Sequence, residues 1–212
     1  MKTHMLPLLT LLAVPALAED HWSLGLGANF KESNSFTRTN GGRPNTFRHR
    51  ATVAPSLILG YKALDFGAGD LTATLEYQFP TQYTASAPAK GLPDFSYRME
   101  YLAPGVQWNH HVSDAFDLGL GAHLRWTNLK SAATGVNAQT RQPWLDAHAR
   151  YTFQDAGTVR PFAGLRVARV LASTPGEPNL QGYARNPSGT LRQGMKRLDN
   201  IWEASIQAGI RF

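Results

Sequence analysis

The chain has 212 residues, with 21 lysines and arginines against 15 acidic residues, seven histidines and no cysteine, for a formal net charge of +6. The absence of cysteine excludes a disulfide framework, so stability must come from strand pairing and packing. No stretch beyond the N-terminus approaches the roughly 18 consecutive apolar residues of a transmembrane helix, which excludes a helical membrane protein.

The first eighteen residues have the pattern of a cleaved signal peptide. Lys2 supplies a positive charge, residues 5–14 form an apolar run, and residues 16–18 form a small-x-small cleavage site. Cleavage after Ala18 leaves 212 − 18 = 194 residues, 19–212, and loss of Lys2 lowers the formal charge from +6 to +5. An exported chain of this kind is either a soluble periplasmic protein or a membrane barrel.

Eight segments of the mature chain alternate apolar and polar residues with the two-residue period of a β-strand. In the last segment, Trp202 to Phe212, the alternation is unbroken. In the fourth segment, Tyr97, Met99 and Tyr101 are apolar on the face that is otherwise polar, which predicts a bulge near Glu100. The eight predicted strands are 21–30, 50–62, 70–79, 96–109, 116–128, 143–154, 159–170 and a terminal strand from about Leu198.

The connections between these segments alternate long and short. The long ones are 31–49, 80–95, 129–142 and 171–197, and the short ones are 63–69, 110–115 and 155–158. This alternation is typical of a membrane barrel, whose periplasmic turns are short and whose outer loops are long, and a soluble sandwich has no reason for it. Aromatic residues near the strand ends predict interfacial girdles: Trp22, Phe30, Tyr61, Phe79, Trp108, Phe116, Trp126, Tyr151, Phe153, Trp202 and Phe212.

These features, together with the C-terminal Ile210-Arg211-Phe212, resemble the small eight-stranded outer-membrane barrels of the OmpA/OmpX type. The resemblance covers the whole mature chain. It implies an all-β, antiparallel, up-and-down transmembrane barrel in the outer membrane of a diderm bacterium, and a monomer. It also implies that Ile210 and Phe212 belong to the signal read by the outer-membrane assembly machinery. Adhesins, anchors, small-ligand channels and lipid A-modifying enzymes share this fold, so function stays open.

The inward-facing residues predict a filled, charged lumen, since side chains just fill an eight-stranded barrel. If segments 116–128 and 143–154 pair so that partner numbers sum to about 271, Arg125 faces Asp146 and His123 faces His148. Acids and bases can then neutralise one another, which disfavours a wide pore. A proton- or metal-responsive site is the alternative reading. The predicted lumen network is Glu76, Asp117, His123, Arg125, Asp146, His148, Arg150, Arg166 and Glu203.

A lipid A deacylase or acyltransferase would need a Ser-His-acid set near the outer leaflet. Asp146 and His148 share a face, but Ser205, the nearest plausible inward serine, lies on another strand. The pair His110-His111 lacks a third metal ligand in sequence. We therefore expect no catalytic residue, no metal and no cofactor.

Two long connections are basic. Basic groups at the outer rim would meet the phosphates and carboxylates of lipopolysaccharide, which Arg binds in bidentate fashion. The signal peptide and the lack of a basic helix or aromatic sheet motif argue against nucleic acid. We expect a structural or surface-interaction barrel that engages lipopolysaccharide or an acidic surface ligand, with ordinary solvated loops, a narrow solute channel and a lipid A-modifying enzyme as alternatives. The basic residues are Lys31, Arg38, Arg43, Arg48, Arg50, Arg185, Arg192, Lys196 and Arg197.

Overall fold

A computed structural model describes residues 21–31, 35–40, 43–49, 52–86, 95–131, 136–154, 158–171, 195–196 and 202–212, so the predicted signal peptide lies outside the described residues. Within those ranges, no helix is long and apolar enough to cross a membrane. The strands are β1 (Trp22–Lys31), β2 (Ser35–Asn40), β3 (Arg43–His49), β4 (Val53–Asp65), β5 (Gly69–Ser86), β6 (Phe95–His111), β7 (Phe116–Ser131), β8 (Val136–Thr152), β9 (Arg160–Val170), β10 (Met195–Lys196) and β11 (Trp202–Arg211).

Eight of these strands form a closed antiparallel barrel. They follow one another in chain order as β1, β4, β5, β6, β7, β8, β9 and β11, and β11 pairs back onto β1. The closing ladder runs from Ser23–Arg211 to Lys31–Glu203, and Trp22 and Phe212 exchange two backbone N–H···O bonds of 2.9 Å. Closure removes the free sheet edges. The predicted eight-stranded up-and-down barrel is confirmed.

Three further strands lie inside predicted connections. β2 and β3 form a hairpin, β3 continues onto the end of β5 through Arg48–Ser86, and β10 pairs with β2 through Met195–Arg38. The sequence did not mark these strands because their polar residues lack the apolar alternation. For the same reason 80–95 and 129–142 were predicted too long, since β5 and β6, and β7 and β8, continue as paired strands into them.

The bulge predicted near Glu100 is present, but on the opposite strand. The β5–β6 register passes from Gln78–Tyr101 to Thr81–Met99, so the extra residue belongs to β5. The reason given for it was wrong, because Tyr97, Met99 and Tyr101 keep the inward parity of β6 and are buried. Apolar side chains therefore fill the upper lumen.

The outer wall of the barrel carries large exposed apolar side chains on every barrel strand. Leu26, Leu120 and Leu165 are each about 60% exposed. In water, a continuous apolar surface of this kind favours association or aggregation, whereas lipid accommodates it. Three predicted girdle aromatics are half-buried, namely Trp22, Phe116 and Phe212. The others are exposed, namely Phe30, Tyr61, Phe79, Trp108, Trp126, Tyr151, Phe153 and Trp202.

Candidate functional site

The structure places all nine residues of the predicted lumen network inside the barrel, as the two-residue period required. Other inward polar residues join them in one hydrogen-bonded set, which we call the lumen cluster. Its described charged groups include five carboxylates and four guanidiniums, so most of the charge is compensated internally. The additional members are Asn29, Asp70, Tyr101, Asn109, His111 and Arg211.

Two arginine–glutamate pairs form the centre of the lumen cluster. Arg125 donates from its two terminal nitrogens to the two Glu203 oxygens at 2.9 and 2.6 Å. Arg166 donates in the same way to Glu76 at 2.7 and 3.1 Å, and it lies 3.5 Å from Glu203. The Arg125 guanidinium also lies 3.8 Å from the Trp144 ring centroid and 4.3 Å from that of Tyr101. Bidentate pairing and two aromatic faces together stabilise a fully buried cation.

The predicted register of the β7–β8 hairpin is wrong. Arg125 is opposite Gln142, and Asp146 is opposite Gly121, so partner numbers sum to 125 + 142 = 267. His123 faces Trp144, and His148 faces Gly119. The partner of Arg125 instead comes from β11, across the lumen. The error arose because the paired strands continue to Ser131–Val136, which places the turn earlier in the chain than expected.

The two buried histidines are engaged at both ring nitrogens. His123 Nδ1 lies 3.1 Å from Asp146, and Arg125 Nε donates to His123 Nε2 at 3.0 Å. An arginine nitrogen can only donate, so Nε2 is the acceptor and Nδ1 carries the proton directed at Asp146. His148 lies between Asp146 at 3.4 Å and Asn109 Oδ1 at 2.7 Å. Within the described part of the chain, Ser205 Oγ has no hydrogen-bond partner, so no Ser-His-acid set is assembled.

The lower end of the lumen cluster lies beside the short turns. Asp117 accepts from Arg150 at 3.1 and 3.2 Å and lies 2.7 Å from His111 Nδ1. Arg211 approaches Asp117 at 3.5 Å. His110 is exposed and stacks on Trp108 on the other side of the wall, with ring centroids 5.9 Å apart. The pair His110-His111 is therefore split between the two faces of the barrel and cannot chelate one metal ion.

Glycines on the inward face of β7 make room for the lumen cluster. A Cβ on Gly121 would lie 2.5 Å from Asp146 Oδ2, and one on Gly119 would collide with the His148 ring. Sequence reasoning missed this role. The available signal was the regular alternation of glycine with leucine at the start of this strand, which indicates a wall that large neighbours approach closely.

The basic residues of the predicted loops are placed only in part. Arg38 lies in β2, Arg43 and Arg48 in β3, Lys196 in β10 and Lys31 at the end of β1. Pairing of β10 with β2 sets Lys196 opposite Thr37, next to Arg38, so the two basic segments lie side by side. The remaining four are outside the described residues, namely Arg50, Arg185, Arg192 and Arg197.

No family model matches the sequence, and no curated protein matches it. Among solved structures, the chain is similar to the outer membrane protein OprG of Pseudomonas aeruginosa, with 9% identity and a TM-score of 0.54 over 92% of this chain and 97% of that one. Outer membrane protein AlkL has 8% identity and a TM-score of 0.48, over 93% and 92%. Neisserial surface protein A has 12% identity and a TM-score of 0.44, over 90% and 95%. The likeness to OprG shows a shared fold over nearly the whole of both chains.

Proposed function

We propose that this chain, which has the fold of the small outer-membrane barrels, is an integral outer-membrane protein of a diderm bacterium with a structural and surface-interaction role. The apolar belt and its aromatic girdles support insertion in a bilayer, because only lipid satisfies such a surface. Residues 1–18 would direct export, and Ile210 and Phe212 would be read by the assembly machinery. Every barrel strand finds both neighbours within one chain, which supports a monomer.

The observation that carries this proposal is the closed centre of the lumen. Arg125 and Tyr101 are 1% exposed and Glu203 is 2% exposed, and they meet side chains from opposite walls. Moving solute past them would require breaking bidentate ion pairs in a region from which water is largely excluded. The barrel is thus better suited to anchor and present its outer segments than to conduct.

The outer segments are proposed to engage lipopolysaccharide. The β2–β3 hairpin and β10 extend one side of the barrel and carry Arg38, Arg43, Arg48 and Lys196 on adjacent strands. Guanidinium groups there would pair with lipid A or core phosphates. The occupied ring nitrogens of His123 and His148 favour this non-enzymatic role over lipid A modification.

Lipopolysaccharide retained by the purified barrel tests this function. Replacing Arg38, Arg43 and Arg48 by Gln should lower the retained lipopolysaccharide severalfold, while heat-modifiable migration stays that of the parent. A matched control replaces Lys62, Arg160 and Arg211, which lie at the opposite end. Unchanged retention in the first variant contradicts the proposal. A changed lipid A acylation pattern in cells that produce the parent chain would establish the enzyme alternative instead.

A further inference from the structure

A cleft of about 230 Å³ opens on the outside of the barrel between the upper parts of β5, β6 and β7. It is lined by Pro80, Arg98, Glu100, Asn128 and Lys130. The even-numbered residues of β6 and β7 face away from the lumen, whereas odd-numbered neighbours such as Tyr97, Met99 and Thr127 are buried inside. The cleft therefore faces the surroundings of the barrel and is separate from the lumen cluster and from the basic outer segments.

Two cations meet in this cleft without a counter-ion. Arg98 and Lys130 are direct cross-strand partners, and both are exposed. Within the described residues, neither takes part in an ion pair. Like charges directly opposite each other destabilise a sheet, and an anion bound between them would relieve the repulsion. Glu100 is held at the lower edge by Asn128 Nδ2 at 3.4 Å and the Tyr77 hydroxyl at 3.5 Å. The three charges leave the cleft with a net charge of 2 − 1 = +1.

The position of the cleft relative to the apolar belt indicates what kind of anion would reach it. Below Arg98–Lys130, the next outward pairs are Glu100–Asn128 and then Leu102–Trp126. Farther down the same two strands, Val106 and Leu120 are exposed apolar residues. The cations thus begin where the apolar wall ends, which in a bilayer is the level of the lipid headgroups.

We propose that this cleft binds the phosphate of an outer-leaflet lipid whose acyl chains lie along the apolar wall beneath it. The inference rests on the proposed function, because it requires insertion in the membrane. Arg98 supplies a planar pair of donors that matches phosphate geometry, and Lys130 supplies a mobile ammonium. Glu100 limits the affinity, because its carboxylate lies beside the anion.

Binding of lipid A by the folded chain in phosphatidylcholine nanodiscs tests this site. The probes are bisphosphorylated lipid A, the same lipid with both phosphates removed, and inorganic phosphate. The double variant Arg98→Gln/Lys130→Gln should bind bisphosphorylated lipid A about tenfold more weakly than the parent. Arg169→Gln/Lys62→Gln removes the same charge elsewhere on the barrel and should bind like the parent. Glu100→Gln should bind more tightly, since it removes the repulsion and keeps both cations.

Three results would overturn the site while leaving the proposed function standing: undiminished binding in the Arg98/Lys130 double variant, equal binding of dephosphorylated lipid A, and a Glu100→Gln variant that binds more weakly. Displacement of lipid A by millimolar inorganic phosphate would assign the cleft to free phosphate and overturn the lipid assignment. A parent chain that does not insert into nanodiscs contradicts the proposed function itself, and this site with it.

Discussion

Arg125 illustrates how a barrel lumen accommodates a buried charge. Its guanidinium gives up hydration and receives two bonds to Glu203, one to His123 and the faces of two aromatic rings. Pairing of this quality offsets the cost of desolvation only while both partners are present. The free energy of the site therefore depends on the pair and not on either residue alone.

Glu203→Ala should lower the free energy of unfolding by roughly 3 to 5 kcal/mol, because it leaves Arg125 buried without its carboxylate. Adding Arg125→Met to that variant should recover much of the loss. Urea unfolding of the barrel in detergent micelles measures both. Glu100→Gln, on the outer wall, is the matched control and should stay within about 0.5 kcal/mol of the parent. A Glu203→Ala barrel as stable as the parent would show that water reaches the pair.

Strand parity was sufficient to predict which residues face inward, but not their partners. All nine predicted lumen residues lie inside, since each stands at an inward position of a regular strand. The partner of Arg125 lies 78 residues away and is brought close only by closure of the barrel. Arg98 and Lys130 were missed because the search for basic sites covered the connections and not the outward positions just above the girdle.

At the scale of single elements, the β7–β8 hairpin shows the limit of alternation as a guide to register. The predicted and observed partner sums, about 271 and 267, differ by an even number. An even shift keeps every side chain on its face, so both registers bury the same residues. Only the position of the turn separates them, and polar paired strands beyond the apolar belt conceal it.

Cysteine pairs test this register directly, because the chain contains no cysteine of its own. Leu120 and Ala147 are cross-strand partners, so Leu120→Cys/Ala147→Cys should form a disulfide under mild oxidation. Leu120→Cys/Tyr151→Cys corresponds to the register with a sum of 271 and should keep both thiols free. Thiol alkylation with a maleimide polymer, read as a gel shift, counts the unreacted cysteines. The opposite pattern would support the register first predicted from the sequence.

At the scale of the whole molecule, polarity is distributed inside out. Exposed leucines and aromatics surround an ionic interior, the reverse of a soluble domain of this size. The alternation of long and short connections was enough to predict eight strands and a closed barrel. The hairpin β2–β3 and strand β10 were not predicted, because strands that need no lipid-facing side carry no apolar pattern.

Conductance across a planar lipid bilayer tests the central claim, that the inserted barrel is closed by its lumen cluster. Protein folded in detergent and added to the bilayer, with a wide-pore porin as positive control, should give no stable conductance steps, while protease protection of the same sample shows that it has inserted. Reproducible ion-conducting steps from the inserted parent chain would contradict the account and favour the narrow channel.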